Sequence, residues 1–200
     1  MFNTRNAVAT DLQEVQAMVK GLENYLKGDE LYGKAGGGFF SMPSMPSLTV
    51  GALLMRLQRL HVLRETLTDD QRTGLDQAIA RHDAIRSEWR AHYDAKMQRE
   101  ALSRLRAMDT YFEELRDDPR TAANNYQPEA LRRTISQVLF DTIRQAGLET
   151  GDVETAMNGV DSRLRRWIEK GDFIWAPELQ AAYPESTYWW LYGRPRVPNR

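Results

Sequence analysis

The chain has 200 residues, 42% of them hydrophobic and 28% charged, a globular composition long enough to bury a core without disulfides or metal. Its 27 basic and 28 acidic residues leave a net charge of −1, so no overall field draws it to nucleic acid or anionic lipid. The absence of cysteine excludes a disulfide framework, a thiolate zinc site and a cysteine nucleophile.

No apolar stretch follows Met1-Phe2-Asn3-Thr4-Arg5-Asn6, so the start does not read as a signal peptide. The longest apolar runs, such as 50–55, are too short to span a bilayer. The expectation is a soluble, cytoplasmic protein with no membrane partner.

The first helix is expected over 10–32. Thr10-Asp11-Leu12-Gln13 has capping-box spacing, and Leu12, Val15, Val19, Leu22 and Leu26 form one apolar face. Residues 33–47 read as a loop, because Gly36-Gly37-Gly38 and Met42-Pro43-Ser44-Met45-Pro46 cannot hold a helix. Phe39, Phe40, Met42 and Met45 of that loop are expected to tuck against the core. Ser47 is placed to cap a second helix over 48–66, with Val50, Leu53, Leu54, Leu57, Leu60 and Leu63 as its stripe.

Thr68-Asp69-Asp70-Gln71 is another capping box and opens a long helix expected over 69–118. No glycine or proline falls between Leu75 and Asp118. Leu75, Ile79, His82, Ile85, Trp89, Tyr93, Met97, Ala101, Leu105, Met108, Phe112 and Leu115 step by three or four throughout. Unbroken, residues 75–115 would form a rod roughly 60 Å long. A compact globule of this size is only ~43 Å across. The sequence therefore predicts a kink, an elongated molecule, or a protruding segment packed on another subunit, and elongation with dimerisation is the favoured reading.

Asp117-Asp118-Pro119 ends this helix, and 119–127 reads as a polar loop. Pro128 suits the first turn of a helix over 128–146, which Gly147 stops. A fifth helix is expected over 152–170, ended by Gly171. The tail, 171–200, carries Phe173, Trp175, Tyr183, Tyr188, Trp189, Trp190 and Tyr192 among four prolines. Rings this large are expected to wrap back over the helices. The fold class is all-α, a single domain over 1–200: an elongated bundle of about five helices, one very long, with an aromatic-rich C-terminal segment.

Two stretches resemble an uncharacterised family of bacterial all-α proteins. One is Pro46-Ser47-Leu48-Thr49-Val50-Gly51-Ala52-Leu53-Leu54 leading into Arg59-Leu60. The other runs from Phe173-Ile174-Trp175 through Tyr183-Pro184 to Tyr188-Trp189-Trp190-Leu191-Tyr192-Gly193. The resemblance implies a bacterial origin and carries no activity or site residue onto this chain.

Chemistry-bearing patterns are sparse. His61 with Glu65, and Glu88 with His92, sit four apart and each pair offers two metal ligands on one helix face, but exposed ion pairs explain both. No Gly-x-Ser-x-Gly is present, and the glycine triplet lacks the Gly-Lys-Ser/Thr ending of a phosphate loop. No cofactor, metal or catalytic residue is expected.

Arg163, Arg165 and Arg166 cluster beside Trp167, with Arg132-Arg133 on the preceding helix, a basic and aromatic mixture suited to a nucleic-acid strand. Arginines late in a helix are also what the helix dipole favours. Trp175, Tyr188, Trp189, Trp190 and Tyr192, with Arg194 as polar anchor, either seal the core or line a ligand pocket, and sealing is favoured. The leading functional expectation is a non-enzymatic interaction or scaffold protein that self-associates or binds a partner through residues 75–115. The alternatives are a nucleic-acid or regulatory module and a small-ligand binder under the aromatic tail.

Overall fold

The computed structural model describes residues 4–34 and 47–197, without the side chains of 4–7 and 34. Phe39, Phe40, Met42 and Met45 lie outside the described residues. The protein is all-α: seven α-helices, three short 3-10 turns and two small antiparallel strand pairs make up the described residues. Contacts divide the chain into two compact units, 1–100 and 101–200.

In the first unit, α1 (Thr4–Lys27) packs on α2 (Val50–Val62) and α3 (Asp69–Glu88). Val15, Met18, Val19, Leu22 and Leu26 of α1 are buried with Leu53, Met55 and Leu60 of α2 and Leu75 of α3. The helix starts six residues before Thr10, so the capping-box spacing there falls inside the helix and not at its start. Asp11 instead accepts two hydrogen bonds from the Arg59 guanidinium, at 2.8 and 3.1 Å, and Arg56 pairs with Glu14.

Strands β1 (Gly33–Lys34) and β2 (Ser47–Leu48) pair antiparallel. That extended pairing takes Ser47 away from capping. Thr49 does so in its place, its Oγ1 accepting from Ala52 N at 3.1 Å, and α2 begins at Val50. The buried Glu100 carboxylate accepts from Gly51 N at 2.8 Å, an anion at the positive end of α2. Thr68 and Gln71 form the reciprocal capping box their spacing predicts.

The stripe over 75–115 is helical on both sides of Trp89 but does not form one rod. Helix α3 ends at Glu88 and α4 runs Arg90–Asp117, its first turns belonging to this unit. Trp89 lies between them with φ −105° and ψ 31°, outside the helical region.

The side chains measure the bend. His82 Nε2 lies 2.8 Å from Tyr93 Oη. Eleven residues of straight helix would separate those positions by about 16 Å, beyond the combined reach of a histidine and a tyrosine. The axis therefore turns between them. Neither proline nor glycine causes this. The buried His82–Tyr93 pair, with rings edge to face at 5.6 Å, holds the two helices across the turn. Glu88 and His92 straddle the break, so their spacing of four places no pair on one helix face.

In the second unit, α4 carries Ala101, Leu105, Met108, Tyr111, Phe112 and Leu115 as its buried face. The stretch expected as a polar loop contains α5 (Pro119–Asn124), with Pro119 in its first turn and Asp118 as its cap. Asp118 Oδ1 accepts from Thr121 N at 3.3 Å, and Thr121 Oγ1 donates to Oδ2 at 2.7 Å. Helix α6 (Tyr126–Gln145) follows, and Gly147 leads the chain away at φ +69°, a left-handed conformation that favours glycine.

Helix α7 (Gly151–Trp167) packs on α6 and ends three residues earlier than its pattern predicts. At Ile168 the backbone becomes extended, and β3 (Ile168–Phe173) pairs antiparallel with β4 (Tyr192–Pro195). Register runs Ile168↔Pro195, Glu169↔Arg194 and Lys170↔Gly193, then jumps to Phe173↔Tyr192. Gly171 and Asp172 are thus an insertion bulged out of the ladder. A Cβ on Gly193 would lie 2.1 Å from Glu169 O, so the two strands approach closely only because residue 193 is glycine.

Candidate functional site

The aromatic segment builds the floor on which β4 sits. Trp190 is 0% exposed. Its indole Nε1 donates to Thr134 Oγ1 at 3.0 Å, and its carbonyl accepts from Tyr126 Oη at 2.6 Å. Edge-to-face contacts link Phe173 to Trp175, Trp175 to Tyr183, Tyr183 to Tyr188 and Tyr188 to Trp190. Tyr192 Oη donates to Tyr183 O at 2.7 Å. Tyr188, Trp190 and Tyr192 are buried, while Trp175 and Trp189 are half-buried. The Tyr126 and Tyr192 hydroxyls and the Trp190 indole thus find backbone or threonine partners, as buried polar groups require.

The arginines expected to form a basic face are dispersed by their partners. Arg133 is 1% exposed, and its guanidinium forks onto Asp161 at 2.7 and 2.9 Å while lying 3.9 Å from the Trp190 ring centroid. Arg132 donates to Glu129 at 2.5 Å. Burial pushes the Glu129 carboxyl above the usual carboxylate range, and Arg132 opposes that shift. Arg163 pairs with Asp109 at 2.6 Å and covers Phe112 at 4.3 Å. Arg165 stacks on Trp189 at 4.1 Å, and Arg166 is exposed. Three of the five are therefore neutralised by carboxylates, leaving Arg165 and Arg166 without an acidic partner among the described residues.

Arg194 is exposed and shares with Arg165 and Arg166 the lack of an acidic partner among the described residues, and differs from them in bordering two clefts of the second unit. One cleft, of about 120 Å³, is bounded by Ala123, Asn124, Tyr126, Gln127, Ile174 and Arg194. Gln127 Nε2 donates to Ile174 O at 3.0 Å, which ties α6 to the segment after β3 and fixes that wall. The other cleft, of about 350 Å³, lies along the β3–β4 ribbon, with Asp172 and Phe173 on β3, Arg194 on β4 and Arg196 just beyond it.

Most charges of the larger cleft cancel at home. Glu169 meets Arg196 at 3.0 Å, and Lys170 meets Glu185 at 2.7 Å. Trp175, Tyr188, Trp189, Trp190 and Tyr192 line neither of these two clefts. Of the six tail residues singled out from sequence, Arg194 alone is on their surface. Asn124, Gln127 and Asp172 were missed, since an exposed asparagine, glutamine or aspartate carries no periodic signal.

Among the described residues no group of histidines and carboxylates is arranged to hold a metal ion, and no helix is long and apolar enough to cross a membrane. His61 and Glu65 do not pair, and the nearest cation to Glu65 is Arg72 at 4.0 Å. No protein-family model, no curated protein and no solved structure matches this chain.

Proposed function

We propose that the chain is a ligand-binding protein that holds a small anionic molecule against Arg194. One observation carries the reading: Arg194 is exposed, makes no ion pair among the described residues, its cross-strand neighbour Glu169 being held by Arg196 at 3.0 Å, and lines both clefts. A guanidinium offers planar paired donors that suit a carboxylate or phosphate oxygen pair. The buried aromatics and Gly193 hold β4 in place beneath it, so the group is presented from a strand rather than a free loop.

The alternative of a docking rod through residues 75–115 drew on the length of an unbroken helix, and the turn at Trp89 removes that length. The nucleic-acid alternative drew on a row of free arginines, of which Arg132, Arg133 and Arg163 are engaged in the fold.

Isothermal titration of the full chain with propionate and with inorganic phosphate at low salt tests the proposal. The wild type is expected to bind at least one of them saturably, and Arg194→Gln to weaken that binding by about tenfold or more, as loss of a charged hydrogen bond does. The substitution is exposed, so its unfolding midpoint should stay within the small range of surface changes. Equal affinity in wild type and variant, or no binding in either, contradicts the proposal.

A further inference from the structure

We infer that the preferred ligand at the larger Arg194 cleft is a zwitterion, a small molecule carrying one carboxylate and one ammonium, of the size and chemistry of a free amino acid. The inference rests on the anion-binding reading above and adds the second charge.

The cleft is lined by three cationic residues, Lys170, Arg194 and Arg196, and two anionic ones, Glu169 and Asp172. Glu169 is taken by Arg196, and Lys170 by Glu185 outside the lining. What remains is one cation, Arg194, and one anion, Asp172, neither with an ion-pair partner among the described residues and not paired with each other. Two residues of opposite charge that border one cleft without pairing form the complement of a ligand with the same two charges in reverse order.

The ribbon's geometry explains why Asp172 is there. Gly171 and Asp172 are the two residues inserted between the pairs Lys170↔Gly193 and Phe173↔Tyr192. A bulge re-aims side chains out of the ladder, and here it separates Asp172 from the regular alternation of β3. The space also fits. About 350 Å³ exceeds several water volumes of about 30 Å³ each and accommodates an amino acid. Phe173, Pro195 and Val197 supply an apolar flank for a side chain. A dianion such as phosphate suits the cleft less well, because it would meet a single free cation with a carboxylate beside it.

The test uses the full chain with three probes: alanine, propionate, which lacks the ammonium, and ethylamine, which lacks the carboxylate. Binding is followed by ligand-observed NMR and calorimetry on the wild type, Arg194→Gln and Asp172→Asn. Both substituted residues are exposed, and matching thermal midpoints confirm that each variant keeps its fold.

Wild type should prefer alanine to propionate by about tenfold or more, the effect of one charged hydrogen bond. Asp172→Asn should erase that preference while leaving propionate binding equal or tighter, and Arg194→Gln should weaken both. If propionate binds as well as alanine, or the preference survives in Asp172→Asn, the zwitterion inference is overturned and the anion site stands. If neither ligand binds the wild type, both readings fall together.

Discussion

Replacing Trp190 with alanine should lower the unfolding free energy by about 3–5 kcal/mol, the range for emptying a fully buried aromatic site. The indole is completely enclosed, so its removal costs the transfer energy of the ring and leaves a cavity. It also removes two specific contacts. Thr134 Oγ1 loses a donor, and the Arg133 guanidinium loses the ring face it covers at 3.9 Å.

Arg133 keeps Asp161, so the variant should not expose an unpaired buried charge, and the loss should sit inside that range rather than above it. Trp190→Phe retains most of the packing and should recover more than half of the deficit. Urea unfolding followed by circular dichroism reads both numbers. A Trp190→Ala loss under about 1 kcal/mol, the size of an ordinary surface change, would mean that the aromatic segment is not the floor of the second unit.

Tyr93→Phe should cost about 1–3 kcal/mol, although it deletes a single oxygen, because it leaves a buried histidine nitrogen without a partner. The tautomer follows from the neighbours. His82 Nδ1 is 2.9 Å from Asp83 Oδ1, a carboxylate that only accepts, so Nδ1 carries the proton. Nε2 is then the acceptor, and Tyr93 Oη donates to it. Burial holds the His82 imidazole below its ordinary value of 6.5, Asp83 opposes the shift and Arg86 adds to it. Burial likewise drives the Tyr93 phenol far above its usual value, so it remains a donor at every working pH.

The sign of the pH dependence follows. A histidine whose folded pKa is depressed favours the fold in its neutral form. Its contribution is fully present above pH 6.5 and is lost as pH falls below that value through the folded one. Between about pH 6.5 and 5, above the ordinary carboxylate range, the thermal midpoint of wild type should therefore fall, the raised Glu129 carboxyl acting in the opposite sense because its protonated form favours the fold. Glu23, Asp76 and Asp118 are held below the ordinary carboxylate range by Lys27, Arg64 and Thr121, which keeps them out of that window. His82→Gln should flatten the slope there. A slope unchanged in His82→Gln would place the titrating group elsewhere.

The all-α class was legible because 3.6-residue periodicity and the Thr68 capping box are local signals that tertiary packing did not oppose. The turn at Trp89 was not. Trp89 falls on the apolar stripe at helical spacing and has neither glycine nor proline beside it. Only the distant partnership of His82 with Tyr93 reveals the bend.

The β3–β4 ribbon hid for a similar reason. Ile168-Glu169-Lys170-Gly171 reads as a helix running into its glycine stop, and only the pairing with residues 192–195 makes it extended. Arg194 was legible as a polar group in an aromatic setting, whereas its lack of a counter-charge is a fact of three dimensions. The same holds in reverse for Arg133, which reads as a free cation in sequence and is the most enclosed arginine among the described residues.

The most direct measurement of the anion-binding claim is the side-chain Nε–Hε resonance of Arg194, assigned by comparing wild type with Arg194→Gln in nitrogen-15 spectra. Titration with a short carboxylate should move that resonance saturably, with smaller shifts for the backbone amides of 124, 127 and 172, which border the two clefts. An Arg194 signal that stays fixed while other arginines move would contradict the assignment of the site.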